Sequence, residues 1–537
     1  MSAEAAVSQL MEEYVANANE SIHINFTRPT PGKPKPILDE PFNPTFTYPI
    51  FGDAETIVGY KKPRIDLNFR ANDLQPALRI KFQEEIELDG LLPKDKQQNL
   101  NTIFEGILPT SAFDPAEAAQ AQVDGPDPNS SSWKPPGSKL CNFALHGKTY
   151  EVWSAKFTDP AGKKLWRNMQ ILVLLFIEGA SLLELDEDWD IERWTLYLLY
   201  EVTPLKDLSI SPYTLAGFST SYRYWILPTA KIMRAIKSLP SPPANGNGDA
   251  TAASTPRLTL GPKTLLFPTQ TDPLEAPSRE RISQFLILPG YQGKCLGTKL
   301  YETIFTDLVK QPNIYEITVE DPNEAFDALR DFNDIVYLRK IPTFASLSLA
   351  STLPADALRK DVPIPRDQIL GNGVDLDALR HQVKIAPRQF NRMLELHLFS
   401  TLPVNNRNTA RITRKAKSSN ANDRKYYFWR LAIKERIYRQ NADVLDQLED
   451  AAEKVEKLEM AVDGQQEEYE ERLQVIEQRA GWMENDSATQ NGESSRGKRK
   501  RVIVEDDDED DEGHDEEMEA ASTTSKRARS AFVEEGF

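Results

Sequence analysis

Some short stretches of this chain alternate apolar and polar residues. Others repeat an apolar residue every third or fourth position. The first period predicts strands and the second helices. The two follow one another most clearly over residues 281–323. There an apolar run, Phe285-Leu286-Ile287-Leu288, ends at Pro289-Gly290, and a tight polar turn follows, Gln292-Gly293-Lys294-Cys295-Leu296-Gly297. Leu296, Leu300, Ile304 and Leu308 then recur on one helix face. A second apolar run, Ile314–Val319, ends in Glu320-Asp321-Pro322. The stretch predicts strand, turn, helix, strand. A helix that begins right after a turn of small residues offers free backbone N–H groups and the positive end of its dipole. That is a site for a pyrophosphate, and a carboxylate at the end of the next strand can stand beside it.

Further strands are predicted at 65–69, 148–157, 166–177, Trp194–Val202 and 217–227. Residues 1–20 predict a short helix, and the proline-rich segment 29–49 an extended one. Residues 115–137, rich in Ala, Pro, Ser and Asp, predict a loop, and 238–256 a disordered insertion. From Glu324 the pattern turns helical, with helices at Leu376–Val383, 388–402 and 425–444. A heptad-like stripe through Leu448, Val455 and Val462 follows, interrupted at Gly464, and order is expected to end near Trp482. Strands first and helices after give an α+β (mixed α/β) fold. The expected divisions are an N-terminal α/β domain (1–150), a mixed domain with the insertion (151–345), a helical domain (346–480) and a disordered tail (481–537).

Charge sharpens the tail. The chain of 537 residues carries −18 overall, but −11 of this lies after Arg501, which leaves −7 for the rest. The tail holds basic clusters at 498–501 and 526–529 around eight consecutive acids at 505–512. The clusters suggest nuclear import, and the acidic block a basic partner. Two cysteines far apart, Cys141 and Cys295, argue against a disulfide framework or a thiolate zinc site, and five histidines show no metal-ligand spacing. The N-terminus does not read as a signal peptide, and no apolar run approaches the ~20 residues of a membrane span. A soluble intracellular protein without metal is expected.

The turn 292–297 is similar to the acetyl-coenzyme A motif of the GNAT acetyltransferases: Gln or Arg, two variable residues, Gly, one variable residue, then Gly or Ala. The phrases FGDAETIVGY, SYRYWILP, RISQFLILPGYQGK, ITVEDPNEAFDALRD and RLAIKERIYRQN extend the likeness over residues 20–440. In that order they resemble the type B histone acetyltransferase family, in a fungal form. Cys295 departs from the motif, standing where its first Gly belongs.

The resemblance implies a GNAT fold and transfer of acetyl from acetyl-coenzyme A to lysine in the tail of newly made histone H-four. Free lysine has a pKa of ~10.4, so the site needs a base. Glu320 matches it, with Asp321 and Glu178 as companion carboxylates. Phe285, Leu286 and Ile287 match the strand that lines the cofactor and offers an N–H to the acyl oxygen. Gln292, Gly293, Lys294, Cys295, Leu296, Gly297 and Thr298 match the pyrophosphate loop, and Asn323 and Arg330 are candidates for the pantetheine arm or phosphates. Asp53 and Glu55 match a histone-contacting turn, Tyr222, Arg223 and Tyr224 a strand along the peptide, and Trp194 an aromatic wall.

Plainer readings stand beside these. Glu320-Asp321-Pro322 is also an ordinary strand-end turn, Arg330 a surface ion pair, and Tyr222 and Tyr224 one face of a packed strand. Cys295 has no histidine near it in sequence to activate a thiol. The basic segments 411–417 and 424–439 read as a helix packing its aromatics inward rather than as a nucleic-acid surface. The resemblance further implies a β-propeller (WD-repeat) histone-binding partner, with 20–50 or 190–215 as candidate contact segments. It also implies residence in nucleus and cytoplasm, and links to chromatin assembly, silencing and DNA repair. Two other functions remain open at this stage: a GNAT acting on another protein or amine, and a non-catalytic histone chaperone.

Overall fold

The computed structural model describes residues 13–30, 34–86, 99–125, 132–183, 185, 191–207, 209–225, 278–359 and 362–490. The expected insertion 238–256 and the charged clusters of the tail lie outside the described residues. Residues up to Glu477 form one compact unit.

An N-terminal four-stranded sheet contains β1 (Ile22–Arg28), β2 (Lys35–Pro36), β3 (Arg64–Arg70) and β4 (Pro76–Lys81), in the order β2-β1-β3-β4. The single helical turn α1 (Tyr48–Phe51) lies between β2 and β3 in sequence. In β3 the alternation of Ile65, Leu67 and Phe69 buries one face, as the period of two predicts. Helix α2 (Ala116–Asp124) packs Ala119 and Val123 against Ala77 of β4.

The central sheet has six strands: β5 (Ser138–Leu145), β6 (Lys148–Lys156), β7 (Trp194–Val202), β8 (Tyr213–Trp225), β9 (Ser278–Ile287) and β10 (Ile314–Val319). They lie in the order β10-β9-β8-β7-β6-β5, and only β9 and β10 run parallel. Helices α3 (Pro160–Met169) and α4 (Ile171–Phe176) follow β6, α5 (Leu296–Lys310) joins β9 to β10, and α6 (Glu324–Arg339) follows β10. The C-terminal part is helical, with α7 (Leu376–Val383), α8 (Pro387–Ser400), α9 (Ala421–Gln440) and α10 (Ala451–Gln490). The architecture is α+β, as expected.

Several local expectations are corrected. The strand expected at 166–177 is the helix pair α3–α4. Asp159 caps α3 by accepting from Ala161 N–H at 2.9 Å, and Pro160 takes the first helical position. Residues 171–175 are buried on every side, so their apolar run carries no readable period. The loop expected at 115–137 contains α2. Among the described residues of the predicted N-terminal helix, Val15–Asn17 is instead a strand paired with Thr56–Val58, and Ala18–Ser21 is helical. Among the described residues of 29–49, β2 is a strand and the segment ends in the turn of α1.

Gly464 does not interrupt α10, and that helix continues past Trp482 to Gln490. The buried stripe of α10 is Val462, Tyr469, Leu473 and Ile476, whereas Val455 is exposed. In α9 the aromatics Tyr426, Phe428 and Trp429 face the core, with Trp429 stacked on Phe399 at 4.5 Å.

Candidate active site

β9 is hydrogen-bonded to β8 along its whole length, from Ser278–Trp225 to Ile287–Gly217. Its pairing with β10 stops at Ile282–Val319, where Glu320 N–H donates to Ile282 O at 2.9 Å. Residues 283–287 therefore continue alone on that edge. The chain then turns through Pro289–Tyr291, passes Gly293 at φ 72° and Cys295 at φ 58°, and enters α5 at Leu296. Both positive φ values bend the backbone so that the helix starts beside the unpaired end of β9.

Gly297 makes this approach possible. A Cβ there would stand 2.8 Å from Leu329 Cδ1 and close to the Ile287 and Phe285 side chains. The amides of Leu296, Gly297 and Thr298 belong to the first turn of α5, whose N–H groups have no partner within the helix. The open edge of β9 and the N-terminus of α5 thus bound one notch, with the Phe285 ring packed edge-on against Phe326 at 5.0 Å. Gln292 Nε2 donates to Ile287 O at 2.8 Å and Lys294 Nζ to Gly290 O at 2.7 Å, and these bonds hold the turn to the strand end.

Period-two alternation puts Arg281, Ser283, Phe285 and Ile287 of β9 on its half-exposed face. Glu320 meets that face: one carboxylate oxygen accepts from Ser283 Oγ, and the other lies 3.5 Å from Arg281 Nη1. Asp321 follows at φ 30° and is exposed. Glu178 is exposed just beyond α4. Its neighbour Gly179 donates its N–H to Tyr48 Oη at 2.5 Å, and Ser181 O accepts from Gln284 Nε2 of β9 at 3.4 Å. The loop after α4 therefore ties the N-terminal sheet region to the catalytic strand.

From Glu320 an aromatic ladder runs across the sheet. The Arg281 guanidinium lies 4.6 Å from the centre of the Tyr224 ring. Tyr224 meets Tyr222 edge-on at 4.7 Å, and Tyr222 meets Trp194, its cross-strand partner, at 4.8 Å. Arg193 stacks on Tyr222 at 5.3 Å and donates to its hydroxyl. Burial raises the Tyr224 hydroxyl above its ordinary value, so that hydroxyl stays protonated at physiological pH.

Four candidates have other work for their side chains. Arg223 is buried on the opposite face, bonded to Glu280 at 3.0 Å and Gln311 at 2.6 Å. Arg330 is buried 3.5 Å from Asp334 rather than presented to a phosphate. Asn323 caps α6 by accepting from Phe326 N–H at 2.9 Å. Glu55 accepts from Thr47 and Tyr48 N–H at 2.6 and 3.1 Å and from Asn19 Nδ2 at 3.0 Å. The Thr47 bond above all holds its carboxyl below the usual range. In the same turn Asp53 is exposed.

Leu286 turns its side chain inward, so only its backbone can face a ligand. Arg281, Ser283, Arg193 and Tyr48 were not singled out from the sequence; for Arg281 and Ser283 the alternation of β9 was the available signal. Among the described residues no cluster of His, Cys, Asp and Glu is placed to hold a metal, and no helix is long and apolar enough to cross a membrane.

The family model described as "Histone acetyl transferase HAT1 N-terminus" matches residues 14–178. The chain is 35% identical over 478 residues to the histone acetyltransferase type B catalytic subunit of Aspergillus oryzae, covering 86% of each chain. It is 36% identical to that of Gibberella zeae, over 87% of this chain and 91% of the relative. The Candida albicans subunit is 31% identical, over 85% and 89%. These relatives, each covered over most of its length, place the chain in the histone acetyltransferase type B catalytic subunit family, which makes it an acetyltransferase.

Proposed function

We propose that the chain transfers acetyl from acetyl-coenzyme A to a lysine in the N-terminal tail of histone H-four, with Glu320 as the base. One juxtaposition supports this most: Glu320 stands where the open edge of β9, the N-terminus of α5 and the aromatic ladder converge.

The residues present fit acetyl-coenzyme A. The first-turn amides of α5, from Leu296 to Thr298, supply anion donors, with the turn Gln292–Gly293–Lys294–Cys295 wrapped beneath them. The edge of β9 that β10 leaves open, over Phe285, Leu286 and Ile287, offers strand-like hydrogen bonds to an extended pantetheine arm. When bound, the co-substrate supplies an activated thioester. The chain does the rest. The carboxylate of Glu320 takes the proton of the incoming ammonium. The freed amine nitrogen bonds to the acyl carbon, the carbon–sulfur bond breaks with its electrons going to sulfur, and the nitrogen's surplus proton passes to the leaving thiolate. A β9 N–H steadies the acyl oxygen as charge builds on it. Asp321 and Glu178 widen the negative field that draws in a basic peptide.

For the peptide, Trp194, Tyr222 and Tyr224 form a wall for aliphatic lysine stems, and exposed Asp53 supplies a charge at its edge. Glu55 and Arg223 serve as scaffold to these surfaces. In this reading residues 1–150 and 151–345 share peptide and co-substrate, and 346–480 buttress them. A β-propeller histone-binding subunit completes the type B complex. Newly made histones meet the enzyme in both cytoplasm and nucleus, which links it to chromatin assembly, silencing and DNA repair.

The test is incubation with acetyl-coenzyme A and either an H-four tail peptide or a small amine, read by mass spectrometry. A mass gain on the peptide equal to one acetyl group in place of one hydrogen, for each modified lysine, is expected. Transfer to the small amine alone would favour a different acceptor. Tight peptide binding without transfer would favour a chaperone.

A further inference from the structure

Arg281 is absorbed neither by the pyrophosphate site nor by the core. Its guanidinium is flanked by the Tyr224 ring at 4.6 Å and the Glu320 carboxylate at 3.5 Å, and it pairs in register with Tyr222 across β8–β9. Its Nε is buried and has no hydrogen-bond partner among the described residues. Arg279 also has an Nε without a hydrogen-bond partner, but it and Arg223 lie against buried carboxylates, Glu316 at 2.7 Å and Glu280 at 3.0 Å, whereas Glu320 is partly exposed. Arg281 instead holds a permanent positive charge at the mouth of the site, beside the one carboxylate that a substrate ammonium must reach.

We propose that Arg281 is a positioning residue for the transfer: it orients Glu320 together with Ser283, and its fixed charge drives the incoming lysine to give up its proton. This rests on Glu320 being the base. A carboxylate alone would form a stable ion pair with the substrate ammonium and hold it protonated. A guanidinium beside the same carboxylate already satisfies much of its charge. It also repels the arriving cation, which favours the neutral amine over the ammonium. The stacked Tyr224 keeps the guanidinium in place, so the peptide-bearing wall and the base are braced by one side chain.

The other charged and titratable groups around it leave that role to Arg281. Arg279 is paired with Glu316, and the Tyr224 hydroxyl stays protonated through the working range. Arg193 is engaged with Tyr222 one rung further out, and Asp321 and Glu178 are exposed to solvent at the rim.

The test is the pH dependence of kcat for the full chain with H-four tail peptide and saturating acetyl-coenzyme A, comparing Arg281→Gln, Arg281→Lys and Glu320→Gln. Acetyl-coenzyme A affinity is measured on each variant to show that the site is folded. For Arg281→Gln the acid limb of kcat should move up by about one pH unit. Its deficit should be about tenfold near neutrality and close at alkaline pH, where the lysine deprotonates unaided. Arg281→Lys, which keeps the charge, should keep the limb. A loss of equal size at every pH, or no loss, overturns the role of Arg281 while leaving Glu320 as base if Glu320→Gln is inactive. A Glu320→Gln variant with unchanged rate and limb overturns both.

Discussion

Cys295 holds a backbone conformation that favours glycine, φ 58° and ψ 11°, and caps α5 without a side-chain hydrogen bond. A Cβ in the left-handed region costs roughly 1–2 kcal/mol. The chain accepts this strain at the turn proposed above to hold the pyrophosphate. Cys295→Gly should raise thermal stability by up to about 1 kcal/mol, less the entropy that glycine adds to the unfolded chain. It should leave acetyl-coenzyme A affinity unchanged or tighter. Calorimetric titration and a melting curve check both, and a clear loss of binding would mean that the Cβ packs against the co-substrate instead. At this scale the sequence showed which residues are polar but not what satisfies them. Glu55, Asn323, Arg330 and Arg223 have the chemistry of ligand-binding residues, yet they close helix caps and buried ion pairs. Their partners are nearby amides, a carboxylate one helical turn away or a group on another strand, and residue type alone cannot tell such partners from a ligand.

Among the elements, the strand–turn–helix–strand of 281–319 was legible because both periods are clean there and Gly and Pro mark the turn. Helix α4 was not, since full burial erases its period, and the end of the amphipathic α3 runs directly into it. Nor was β5, an edge strand whose burial alternates only weakly. Gly464 shows the reverse error: a helix breaker by propensity, it lies within α10, where packing of Val462 and Tyr469 outweighs its cost. A Cβ at Gly464 would meet nothing within 4 Å. Gly464→Ala should therefore stabilise the protein by about 0.5–1 kcal/mol in chemical denaturation.

Helix α8 carries a pH-sensitive position. His397 is buried against Phe344 at 4.8 Å, and burial, with Arg339 nearby, pushes its imidazole down to about 4. The native state keeps it neutral while the unfolded chain takes up a proton below about 6.5. Its contribution is therefore complete above that pH and is lost as pH falls toward 4. The loss is at most about 3 kcal/mol. His397→Phe should flatten the fall in stability between pH 6.5 and 4, measured by melting temperature against pH. An equal fall in both proteins would place the acid sensitivity elsewhere.

At the scale of the whole molecule, a six-stranded sheet meets an N-terminal sheet region through the loop after α4, and the catalytic strand lies beside that junction. The α+β class and the central motif were readable from pattern. The junction was not, because it depends on hydrogen bonds such as Gly179 to Tyr48 that join residues 131 positions apart. That arrangement leaves the aromatic ladder and Glu320 together on one strand face. The most direct measurement is turnover of an H-four tail peptide by Glu320→Gln, with acetyl-coenzyme A binding followed on the same sample. Glu320 contacts the strand face rather than the pyrophosphate turn, so binding should be retained, while kcat at neutral pH should fall by about 100-fold or more. A variant that binds acetyl-coenzyme A and turns the peptide over at the parent rate would contradict the assignment of the base.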